Sequence, residues 1–114
     1  MEKLTITKKD VVQSPKDLVL NGTIIEANKT TWREIINPDK ISKFDEPDKE
    51  IVQIKYEVLY DETHLKGEDT FAYYPQPMAN SKLGLFLNKF ESFEPGTQIK
   101  VVYDSQGFGK IKVD

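Results

Sequence analysis

The order of segments along this chain predicts an all-β domain: five strands closed into a Greek-key barrel, with one α-helix between the third and fourth strands. Three observations carry that expectation. A long β-type run, 18–27, holds a glycine at its centre (Gly22), and a glycine inside a strand marks a bulge or bend of the kind a small barrel needs. A single amphipathic helix follows two further β-type runs. The last twenty residues alternate apolar and polar around a glycine turn, as a closing hairpin does.

Taken in order, residues 1–17 are polar and lysine-rich, with a short apolar patch at Leu4 and Ile6 and a break at Ser14-Pro15. They read as a tail or an added edge strand preceding a domain over 18–114. The run from Leu18 to Ala27 is the first strand. Residues 37–50 carry two prolines and many charges, which predicts a surface loop. In 51–60, Val52, Ile54, Tyr56, Val58 and Tyr60 alternate with Gln53, Lys55 and Glu57, a half-buried strand. A turn is expected from Asp61 to Gly67, and a return strand over 70–74 that Pro75 and Pro77 stop.

The helix is expected over 81–91. Ser81 can cap it, and Leu83, Phe86, Leu87 and Phe90 fall on one face, while Gly84 weakens it. Pro95-Gly96 then turns the chain into the closing hairpin. A three-residue loop, Ser105-Gln106-Gly107 with Gly107 left-handed, pairs Tyr103 with Gly109, Val101 with Ile111 and Ile99 with Val113. That register puts the apolar residues on one face; a two-residue loop would mix core and solvent. It also sets Lys100 opposite Lys112, with Lys110 beside Val102, at a mild electrostatic cost.

With its bent first strand at Gly22 and the helix 81–91 between strands three and four, the chain resembles the OB-fold over roughly residues 18–114. The resemblance is one of element order, and it implies a binding module for oligonucleotides or oligosaccharides. Fold analogy by itself does not fix function.

Composition narrows the classes. The 114 residues suit one domain, with 38% hydrophobic and 31% charged residues. No apolar run approaches the roughly 20 residues a membrane span needs, and the first eight residues lack the apolar stretch of a secretory signal. A cytoplasmic protein with no membrane association is expected. Asn21-Gly22-Thr23 and Asn28-Lys29-Thr30 match the glycosylation pattern but read as strand or turn asparagines. The absence of cysteine removes disulfides, thiolate ligands and cysteine nucleophiles.

The one histidine, His64, falls in the expected turn among acidic residues and has no cysteine or histidine to complete a zinc site. Neither acidic run, 45–50 or 61–69, has the alternating oxygen ligands around a central glycine of a calcium loop. No phosphate loop or nucleophile elbow is present. The expectation is a protein that is not an enzyme, with no metal and no cofactor.

The net charge of −3 gives no global pull toward nucleic acid, and Arg33 is the only arginine. Two surfaces nevertheless combine aromatics with cations, as single-strand binding requires. One gathers Trp32, Arg33, Lys55 and Tyr74, with Lys55 and Tyr74 expected to share a face near Trp32. The other is the stripe of Lys100, Lys110 and Lys112 with Phe108. That stripe also suits an edge hairpin kept from aggregating by its lysines. Tyr56, Tyr60, Phe71 and Tyr73 are expected in the core. The ligand expected is single-stranded DNA or RNA, bound with little sequence preference; the rival is a protein-interaction module using the barrel edge or the acidic loops, with sugar binding a third reading. Oligomeric state is not legible.

Overall fold

A computed structural model of the chain describes residues 3–7, 10 and 18–113. Five antiparallel strands form a nearly closed barrel: β1 (Val19–Thr31), β2 (Glu50–Tyr60), β3 (Thr63–Ala72), β4 (Gln98–Tyr103) and β5 (Gly109–Ile111). Their spatial order is β3-β2-β1-β4-β5. A short helix α1 (Trp32–Ile35) and a 3-10 segment (Pro38–Lys43) join β1 to β2, and α2 (Lys82–Phe90) lies between β3 and β4, as the sequence predicts. Most of the reading for residues 1–17 falls outside the described residues.

β1 serves two neighbours. Val19–Thr23 pairs with β4 while Gly22–Thr31 pairs with β2, so Gly22 and Thr23 have a strand neighbour on both sides. A side chain at Gly22 would press on Val101 Cγ2 at 3.1 Å and Val58 Cγ2 at 3.2 Å. The break in register comes three residues later, where Ile25 is the extra residue between Ile24 and Glu26 and turns outward. Gly22 thus supplies close approach and Ile25 the bulge.

The core is the inner face of the alternating strands: Ile24, Val52, Ile54, Tyr56, Val58, Phe71, Ile99, Val101, Tyr103 and Ile111, plugged by Leu83 and Phe86 from α2. Ile51 is buried as well, because the β1–β2 connection covers the outer side of β2 there. Ser81 caps α2 by accepting the Gly84 N–H at 3.0 Å. Gly84 is a requirement of the packing here: a Cβ would overlap the Met78 carbonyl oxygen, which already accepts the Ser81 N–H and hydroxyl.

The β4–β5 register is the expected one, Tyr103↔Gly109, Val102↔Lys110 and Val101↔Ile111, with Gly107 at φ 86°. The Lys112 N–H donates to the Lys100 carbonyl at 2.8 Å and continues it. The β2–β3 hairpin corrects the expectation. Its turn is only Asp61-Glu62, both left-handed (φ 48° and 68°), and β3 begins at Thr63. His64 therefore lies in a strand opposite Leu59, with its Nδ1 against the Glu57 carboxylate.

The barrel closes between β3 and β5 without a backbone ladder. Asp69 spans the gap: its carboxylate accepts the Ile111 N–H at 3.0 Å and the Thr70 N–H at 2.8 Å. Replacing Asp69 by alanine strands both donors, and the expected loss is about 1–3 kcal/mol of unfolding free energy in urea titration. An unchanged midpoint would show that the carboxylate does not hold the seam.

Candidate nucleic-acid interface

The first predicted surface is distributed over three separate depressions. Trp32 opens α1 and stacks on Phe44, with ring centroids 5.3 Å apart and planes at 29°, beside Ile51 and Phe71. Its ring is an anchor for the β1–β2 connection. Arg33 is bound there too: Nε donates to Asp48 Oδ1 at 2.6 Å and Nη2 to Oδ2 at 3.2 Å, while its N–H reaches the Pro47 carbonyl. That hydrogen-bonded fork holds the Asp48 carboxyl below its usual range and raises the guanidinium.

Lys55 is on the outer face of β2, 3.1 Å from the Glu26 carboxylate and in register with Glu68 on its other side. Tyr74 lies over a different groove, lined by Lys29, Pro75, Pro77, Leu87 and Phe93. Lys29 there pairs with Glu50 at 3.0 Å and covers the Tyr73 ring. Lys55 and Tyr74 do not share a depression. The alternation along β2 and β3 puts Gln53, Lys55, Glu57, Leu59, His64, Lys66, Glu68 and Thr70 on the outer face, a set whose one ring, the His64 imidazole, is engaged by the Glu57 carboxylate.

The second predicted surface holds together. Asp104 Oδ1 accepts the N–H groups of Gln106 and Phe108 at 2.9 and 3.0 Å, which fixes the turn. Phe108 projects from it 65% exposed. The hairpin register brings Lys100 and Lys112 face to face, with Lys110 on the same side of β5 as Phe108 and Lys112. Lys100 donates to the Asn21 side chain. Among the described residues, Lys66, Lys110 and Lys112 have no acidic side chain within ion-pair distance, unlike Lys29, Arg33, Lys49 and Lys55.

Phe108 also borders a cleft of about 290 Å³ at the β3–β5 seam, with Lys66 and Glu68 on one wall and Tyr56 and Tyr103 below. Gly67 and Gly109 leave room for the Tyr56 ring between the strands; a Cβ on either would come within 2.7–2.8 Å of its hydroxyl. Burial, reinforced by Tyr103 and the acids Asp69 and Glu68, pushes the Tyr56 phenol well above the usual tyrosine range. It therefore faces the cleft as a neutral hydroxyl.

Lys66 is the member of this site that sequence reasoning missed, because it was assigned to a turn. The available signal was parity: Leu65 and Phe71 mark the inward positions of a strand reaching back to Thr63. Among the described residues no group of three metal-ligating side chains comes together, and no helix is long and apolar enough to cross a membrane. Compared with known proteins, the chain matches no family model, no curated protein and no solved structure.

Proposed function

We propose that this barrel is a non-enzymatic module that binds single-stranded nucleic acid, with little sequence preference, at its closing hairpin. The observation that carries the reading is an exposed aromatic ring, Phe108, set at a cleft with Lys66 on its wall and Lys110 and Lys112 on the adjoining strand, lysines that make no ion pair among the described residues. A base stacks on such a ring whatever its identity, and lysine ammoniums meet the flanking phosphates as point charges. The short, tied turn holds the ring in place before any ligand arrives, which lowers the ordering cost of binding. Trp32 and Arg33 support the barrel; they are not part of this contact surface.

The reading is tested with a labelled short oligothymidylate, following anisotropy at low and moderate salt. Phe108→Ala is expected to weaken binding by about 5- to 150-fold, the equivalent of the roughly 1–3 kcal/mol that base–aromatic stacking contributes. Trp32 stacks on Phe44 and anchors the β1–β2 connection, so Tyr74→Ala, rather than a tryptophan variant, is the comparison that should leave affinity unchanged. Absence of binding at low salt sinks the proposal. A loss confined to Tyr74→Ala would move the site to the groove beside α2.

A further inference from the structure

The seam between β3 and β5 leaves part of a strand edge unpaired. The two-residue turn makes Tyr60↔Thr63 the hydrogen-bonded closing pair, and Tyr73, of the same parity as Thr63, donates its N–H to the Glu50 carbonyl at 3.1 Å. The odd-numbered residues of β3 therefore bond to β2, and His64, Lys66 and Glu68 point their N–H and C=O groups the other way. Among the described residues no backbone partner meets these groups. β5 is too short to cover them, and the Asp69 carboxylate, not a ladder, ties it to β3. An edge of this kind accepts an added strand. Beside it lies the cleft, walled by Leu65, Tyr103 and Phe108.

The chain itself contains a segment of matching chemistry. In Lys3-Leu4-Thr5-Ile6-Thr7 the two apolar residues are two apart, so both face one side when extended. Leu4 is 79% and Ile6 69% exposed, so neither is packed on its own barrel. Lysines at 3, 8 and 9 flank the segment, and Asp61, Glu62 and Glu68 flank the edge. Residues 8–17 separate the segment from Leu18, which is held against β4 by the Tyr103 N–H. Thr7 and Asp10 close a turn on each other, and the seven residues 11–17 beyond it would reach about 25 Å if extended.

We propose that residues Lys3–Thr7 of one copy add as a strand to the β3 edge of a second copy, with Leu4 and Ile6 entering its cleft. Reciprocal exchange closes a two-fold dimer. The occupant is a second copy because within one chain both apolar side chains stay in solvent while the β3 edge stays without a backbone partner among the described residues. The donor segment carries none of the residues assigned to nucleic acid, whereas the acceptor cleft shares Lys66 and Phe108 with that site, so an added strand and a nucleic acid exclude one another there.

The test uses the full chain and light scattering across a concentration series. The apparent mass is expected to rise from 13.1 kDa toward twice that value. Leu4→Glu/Ile6→Glu, which has an acceptor edge and no donor, is expected to stay at one chain with an unchanged melting temperature. Lys66→Pro removes an outward N–H without touching the ladder to β2, so it has a donor and no acceptor, and it too should stay monomeric. Mixing the two variants is expected to restore a dimer. A wild-type chain that remains monomeric throughout, with or without protected amides at residues 3–7, overturns the proposal. So does a Leu4→Glu/Ile6→Glu variant that associates like the parent.

Discussion

Phe86→Ala is expected to lower the unfolding free energy by about 3–5 kcal/mol, a large part of the roughly 5–15 kcal/mol that a domain of this size has in total. Phe86 is fully buried, and it is the side chain through which α2 closes the barrel. Its ring stacks on Phe93 at 4.5 Å and tilts against Phe71 and Phe90 at 5.8 and 5.0 Å. Truncation therefore removes three aromatic contacts as well as buried area, and it leaves a cavity that the strands on the far side cannot collapse to fill. Urea titration measures the loss as a lower midpoint at an unchanged slope. Leu59→Ala, on the exposed outer face, provides the contrast and should stay within about 0.5 kcal/mol of the parent. A Phe86→Ala midpoint close to the parent's would mean that α2 is not the plug.

Lys110→Glu/Lys112→Glu is expected to abolish most of the oligonucleotide affinity and to flatten its dependence on salt. Each phosphate neutralised on a single strand contributes about −0.7 to the slope of log K against log salt, so loss of two lysines should make the slope shallower by about 1.4. The effect should be uniform across sequences, because lysine reads charge and not base edges. Lys55→Gln is the informative comparison. Its ammonium already pairs with Glu26, so the slope should not change. A slope that responds to Lys55 and not to Lys110 and Lys112 would return the site to the outer face of β2.

What the sequence disclosed depended on whether side-chain alternation survived. In β4–β5, Ile99, Val101, Tyr103 and Ile111 all point inward, and Gly107 marks the turn, so the register could be derived. In β3 the inward positions include Gly67 and Asp69, one with no side chain and one charged, and the pattern dissolves. The turn before it gave no signal either, because Asp61-Glu62 adopts positive φ without glycine. That is why Lys66 and the seam went unread. Trp32 was open to reading as an exposed stacking residue because its partner, Phe44, is twelve residues away in a charged stretch. Gly84 was legible as a weak helix former but not as a contact, since Met78 is brought beneath it only by the fold.

The Asp69 carboxylate also decides how the barrel gives way. Every other strand boundary is a row of backbone bonds that must break together, whereas this one hangs on a single side chain and on the three residues of β5. Free energy of local opening is therefore lowest at that boundary. The molecule behaves as a clasp and not as a shell: β5 with its turn can swing clear while β1, β2 and β4 keep their pairing, and whatever occupies the cleft acts as the catch.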